Sequence, residues 1–131
     1  MSPLKRLALA VCVISLALPE TTYGFQVRVS AYAPIPRCTK KIHPEVAASG
    51  HHICSADYGR VIALSHDLAK KFKFGDLFVL KLHGKSLIVE YLDRVPRKGR
   101  KKKVDFLLQS MEECFQFGIQ EGELTLIKEM E

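Results

Sequence analysis

The sequence predicts a small, mainly β domain: a barrel of six short strands with two short helices. Three observations predict it. Apolar residues recur in short β-rich runs, glycines and polar segments separate those runs, and only two stretches carry helix-start signals. With 131 residues, 47% hydrophobic and 26% charged, the composition suits one core and excludes a disordered or fibrous chain. The chain shows no internal repeat, low-complexity tract or second domain.

The first 24 residues read as a signal peptide. Lys5 and Arg6 precede an apolar run from Leu7 to Leu18, which stops at Pro19 and Glu20. That run is short of the roughly 20 residues a spanning helix needs, so export is expected rather than membrane residence. Thr22 and Gly24 are small residues that suit cleavage before Phe25, leaving a domain over residues 25–131. Val11 is too large to suit lipidation at Cys12. Loss of Lys5, Arg6 and Glu20 takes the net charge from +6 to +5 (18 basic against 13 acidic residues). A basic exported domain calls for anionic partners: cell-wall polymers, lipid head groups or nucleic acid.

Along the domain, QVRVSA (Gln26 to Ala31) alternates as a half-buried strand, and a long loop rich in proline, histidine and glycine runs from Tyr32 to Arg60. Val61 to Leu64 is a buried strand. Ser65 is placed to cap a brief helix through Phe72, with Asp67 in its first turn and Gly75 closing it. Leu77 to Leu82 and Ser86 to Leu92 form a hairpin turning through His83, Gly84 and Lys85, with Asp93 at its exit. Val104 to Leu107 is a strand containing Asp105. Ser110 to Glu113 is an S-x-x-E capping box for a helix ended by Gly118, and Glu123 to Ile127 closes the fold.

Asp93 and Asp105 are the chemically interesting pair. Each ends or interrupts an apolar run, and the ten residues from Arg94 to Lys103 between them carry seven cations. A carboxylate fixed on a sheet can exchange a proton with a substrate, and a basic loop beside it can hold an acidic group. Arg97 and Arg100 can make forked contacts to carboxylate or phosphate. The plainer alternative is a pair of turn-stabilising acids beside a solvated loop. Nucleic acid is not expected, because the loop lacks aromatic residues for stacking and the chain reads as exported.

The order of motifs VRVSAYAP (27–34), VAASG (46–50), GRVIALS (59–65), FGD (74–76), LDR (92–94), VDF (104–106) and CFQFGI (114–119) resembles the 3D domain, named for three aspartates. That family is a double-psi β-barrel found in MltA-type lytic transglycosylases and in small exported bacterial proteins. The resemblance implies that Asp93 and Asp105 are its second and third aspartates, with Asp105 the catalytic acid and Asp93 its support. It also implies a peptidoglycan-active protein that cleaves glycan strands with one carboxyl as acid and base. Ser65 stands where the first aspartate is usual, and the cationic loop replaces a glycine-rich or mixed polar one. Both departures favour the alternative, an expansin-like wall-binding module without turnover. Ser65, Arg94, Arg97 and Arg100 are the candidate substrate-binding residues.

A single-acid mechanism needs a carboxyl still protonated near neutral pH, which burial and a neighbouring carboxylate promote and cations oppose. Ordinary glycoside hydrolysis usually needs two flanking carboxylates, whereas a lytic transglycosylase manages with one. Cys38 and Cys54 flank the long loop, and a disulfide between them is the expected use in an oxidising compartment. The rival is a metal site joining them to His43, His51 or His52, although the spacing fits no standard zinc pattern. Cys114 reads as a buried apolar residue of the second helix. His66 beside Ser65 makes no serine-hydrolase pattern. No metal and no cofactor are expected.

Overall fold

A computed structural model describes residues 24–36, 38 and 43–127. The expected signal peptide lies outside the described residues except for Gly24, which opens the first strand. Six strands follow in order: β1 (Gly24–Tyr32), β2 (Val61–Leu64), β3 (Leu77–Leu82), β4 (Lys85–Arg94), β5 (Lys103–Leu107) and β6 (Gln120–Leu126). Two helices, α1 (His66–Ala69) and α2 (Met111–Phe117), and a 3-10 turn at Ser55–Asp57 complete the elements among the described residues.

The strands close in the order β1-β5-β2-β4-β3-β6, with β6 returning to β1. Two pairs are parallel, β1 with β5 and β2 with β4, while the other four are antiparallel. This is the mainly β, six-stranded double-psi barrel that the sequence predicts. Period-two alternation fills its interior, where Val27, Val29, Ile62, Leu64, Phe78, Leu80, Val89, Tyr91, Val104 and Leu124 are at most 1% exposed. Closure leaves no strand edge open to another chain. Gly122 on β6 permits the close approach of β3, since a Cβ there would sit 2.9 Å from the Lys81 carbonyl.

Local signals account for most boundaries. His83 and Gly84 have φ of 46° and 79°, the two left-handed residues of a tight hairpin, and Lys85 is already paired with Leu82. Ser110 accepts the Glu113 amide at 3.3 Å and caps α2, while Glu113 reaches the amide of Gln109 rather than that of Ser110. α1 differs from expectation. It ends at Ala69, and Phe72 turns inward to meet Phe25 and Phe78 edge-on at centroid distances of 5.6 and 4.9 Å.

A second apolar cluster lies on the outer side of the barrel wall. Tyr32, Val61, Ala63, Leu92, Val95 and Leu107 form it, and Cys38, Ile53 and Tyr58 from the long β1–β2 connection pack against it. That connection is thus a cover for one patch of the barrel. The candidate site lies at its margin.

Candidate functional site

Strand register brings the two aspartates onto one face. On β5, Asp105 pairs with Ser30 of β1 on one side and with Ala63 of β2 on the other. Ala63 in turn pairs with Asp93 of β4, so Ser30, Asp105, Ala63 and Asp93 form one row across four strands. The carboxylate-bearing positions are two strand spacings apart, about 10 Å at ~4.8 Å per strand. Only a methyl group stands between them.

A bulge makes this possible. Ile62 pairs with Tyr91, but Ala63 pairs with Asp93, so Leu92 is the extra residue on β4. Without it, Asp93 would fall beside Leu64, whose side chain points into the barrel. Bulging turns Asp93 outward to the face that already holds Asp105. Asp93 therefore sits inside β4, one residue before its end, rather than at the exit of a shorter strand.

The two carboxylates are held differently. Asp93 Oδ2 accepts the Tyr32 hydroxyl at 2.9 Å, and its Oδ1 accepts the amides of Ala48 and Arg94, each at 2.9 Å. Both oxygens are occupied. Burial, and then the charge of Asp93, pushes the Tyr32 phenol well above its usual range, so it stays a donor at any physiological pH. Asp105 accepts the Ser30 hydroxyl at 2.5 Å and lies 3.5 Å from the Lys103 ammonium, and both contacts fall on Oδ1. Among the described residues Asp105 Oδ2 has no protein partner. Asp93 is a fastener that pins the cover segment to the barrel, whereas Asp105 keeps an oxygen for something else.

Both aspartates line a groove of roughly 230 Å³, with Tyr32, Ala48, Ala63, His66 and Arg94 among its walls. Arg94 rests 4.9 Å from the Phe74 ring centroid, a contact worth about 0.5–1 kcal/mol at an exposed site, so it is steered without being neutralised. Other candidates lie apart. Ser65 is fully buried and away from the groove walls: its hydroxyl donates to Asp67 Oδ1 and accepts the Lys103 amide at 3.0 Å, so it does not cap α1 through its side chain. Asp67 also accepts the Lys102 amide at 2.9 Å. Burial opposes ionisation of Asp67, but these donors prevail and hold its carboxyl below the usual range. The pair anchors the base of the cationic loop. Arg97, Lys98, Arg100 and Lys101 are exposed, and none makes an ion pair among the described residues.

The expected Cys38–Cys54 disulfide is absent: both cysteines are free. Cys38 packs on the outer cluster with its sulfur 3.1 Å from Met111 Sδ of α2, while Cys54 is exposed before the 3-10 turn. Around Cys54 a short polar clip forms, in which His51 Nε2 lies 2.8 Å from Asp57 Oδ2 and the Cys54 amide donates to the same oxygen. His43 turns to Glu45 at 3.3 Å. Among the described residues no three metal-ligating side chains converge.

Reasoning from sequence missed Tyr32, Ser30 and Ala63. Ser30 and Tyr32 alternate with buried Val27 and Val29, which places them on the outer face, but their partners are 75 and 61 residues away. Nothing local announces such contacts.

Comparison with known proteins adds the fold. No family model and no curated protein matches the chain. Among solved structures, the apo expansin of Clavibacter michiganensis aligns with a TM-score of 0.53 at 14% identity, covering 83% of this chain and 52% of that one. An Asp-to-Asn mutant of Clavibacter michiganensis expansin in complex with cellohexaose aligns at 0.54 and 12% identity, with the same coverage. The Streptomyces papain inhibitor aligns at 0.54 and 13% identity, over 81% of this chain and 96% of that one. These are likenesses of the barrel. The chain spans about half the length of the expansins it matches.

No helix among the described residues is long and apolar enough to cross a membrane.

Proposed function

We propose that the chain is an exported, wall-directed polysaccharide-binding module whose ligand lies in the groove between Asp93 and Asp105. One observation carries this reading. The row Asp105, Ala63, Asp93 forms the floor of an open groove in which Asp105 keeps an oxygen free of protein partners. A carboxylate oxygen presented beside a small alanine is a hydrogen-bond acceptor for sugar hydroxyls. An expansin whose chain is half matched by this one was crystallised with cellohexaose, and a glycan ligand is carried over to this chain by that analogy. The exposed bases of the β4–β5 loop suit an anionic polymer, and peptidoglycan combines glycan with acidic peptide stems.

A second reading is lytic transglycosylase cleavage, with Asp105 as acid and base. It is favoured by the unequal engagement of the two carboxylates, since a single catalytic acid needs a free oxygen and Asp93 has none. The resemblance to the 3D domain belongs to this reading, and it rests on motif order together with the barrel itself. Against it stands Lys103, whose ammonium 3.5 Å from Asp105 favours the ionised carboxylate over a protonated acid.

Co-sedimentation of the full chain with purified sacculi, followed by muropeptide analysis, separates the readings. Salt-sensitive binding without new 1,6-anhydromuramic ends is the expected outcome. New anhydro ends that vanish in Asp105→Asn would establish the enzyme, and no binding at low salt would remove both.

A further inference from the structure

We propose that Cys38 and Cys114 are the disulfide-forming pair of this domain, a bond that would fasten the β1–β2 cover segment to α2 beside the groove. The inference concerns the thiols alone and does not depend on the ligand. Three observations bring the two cysteines to the same side of α2. Cys38 touches Met111, with Sγ 3.1 Å from Sδ. Met111 and Cys114 are three residues apart on α2, so their side chains share one helical face about 5–6 Å apart at Cβ. Cys114 is the buried residue of that helix, which turns this face toward the barrel where Cys38 packs.

Cys54 offers no such approach, being exposed at the far end of a segment held by His51 and Asp57. Met111 is the group that Cys38 now touches, and a thioether side chain with three rotatable bonds can move aside at little cost. The Cys114 thiol is pushed up to about 11 by burial and then by the Cys38 sulfur.

The chemistry needs an oxidant of the disulfide class, for which oxidised glutathione is a suitable probe. The thiolate of Cys38, the more accessible sulfur, attacks one glutathione sulfur and forms a mixed disulfide, expelling glutathione thiolate. Cys114 then loses its proton and attacks Cys38 Sγ, forming the protein disulfide and expelling the second glutathione thiolate. Two protein thiols are oxidised and one glutathione disulfide is reduced to two thiols. Because so little of Cys114 is thiolate at neutral pH, the second step is slow and accelerates with pH, by roughly 100-fold between pH 7 and 9.

The bond would limit the freedom of a groove wall, since Cys38 lines the groove as well as the outer cluster. Trypsin places Cys38, Cys54 and Cys114 on three separate peptides, so the pairing is directly readable. The full chain is equilibrated with oxidised glutathione at pH 7 and pH 9, alkylated, digested and mapped by mass spectrometry. The expected product joins the Cys38 and Cys114 peptides, forms faster at pH 9, and persists in Cys54→Ser. In Cys38→Ser, Cys114 should stay reduced and become alkylatable only on denaturation. A Cys38–Cys54 or Cys12–Cys38 linkage as the main product would overturn the proposal. So would Cys38 left as a glutathione adduct with Cys114 still free at equilibrium.

Discussion

The Tyr32 hydroxyl and the Asp93 carboxylate share a buried hydrogen bond of 2.9 Å that joins the end of β1 to the bulged end of β4. Tyr32 is 5% exposed and Asp93 is 8% exposed, so water cannot readily replace either partner. The bond fixes the orientation of Asp93, whose other oxygen holds the cover segment through the Ala48 amide.

Removing that donor should be costly. Tyr32→Phe keeps the ring and deletes one hydrogen bond to a buried charged group, an interaction worth about 1.5–3 kcal/mol. Urea unfolding should show a loss in that range, while Tyr91→Phe, at a residue that does not line the groove, should lose less. The wild type should also weaken in alkali. Because the folded state holds the Tyr32 proton above the ordinary value of 10.0, its contribution is complete below pH 10 and declines as pH rises further. In Tyr32→Phe this part of the alkaline slope should disappear.

At low pH the sign is opposite. Asp57 and Asp67 are both held below the ordinary value of 3.8: burial alone would raise each, but the Cys54 amide and His51 outweigh it for Asp57, and Ser65 and Lys102 do so for Asp67. Their contribution is full above pH 3.8 and fades as pH falls through the lower folded value. Asp67→Asn should flatten the acid limb of a stability profile measured between pH 2 and 6. It should also speed hydrogen exchange at the Lys102 and Lys103 amides, whose partners are Asp67 and Ser65.

The spacing between the aspartates can be filled. Ala63 is 2% exposed and stands between Asp93 and Asp105, so Ala63→Leu should project three extra carbons into the groove floor. Overpacking of this kind costs about 1–3 kcal/mol. Binding to sacculi should fall at least tenfold while the far-ultraviolet circular dichroism stays that of the parent barrel.

The cationic loop should govern salt dependence and not stability. Replacing Arg97, Lys98, Arg100 and Lys101 by serine removes exposed charges with no partners, and surface changes of this kind each stay within about 0.5 kcal/mol. The thermal midpoint should hardly move. Binding to sacculi should weaken most at low ionic strength and lose much of its salt sensitivity.

Much of this architecture was legible from residue patterns. β2 and β3 occupy the segments their apolar runs mark, His83 and Gly84 mark the hairpin, and Ser110 and Gly118 bracket α2. That Asp93 and Asp105 share a face is a matter of register, since β2 stands between their strands. What was not legible depends on distance in sequence. The run LIVEYLD carries no glycine or proline to betray the bulge at Leu92, which arises from pairing with a strand about 30 residues earlier. Ser65 has the right chemistry for a cap, yet the Lys103 amide and Asp67 compete for its hydroxyl and win. Cys38 and Cys54 are unpaired in the structure, since loop length says nothing of side-chain direction and Cys38 turns to α2.

The central claim is that the groove floored by Ala63 between the two aspartates is the ligand site. A titration of isotope-labelled chain with soluble peptidoglycan fragments, followed by nuclear magnetic resonance, tests it most directly. The account predicts saturable shifts centred on the amides of Ala48, Ala63, Asp93, Arg94 and Asp105, and their loss in Asp105→Asn. Shifts centred instead on β3 and β6, across the barrel, or none at millimolar fragment, would contradict it.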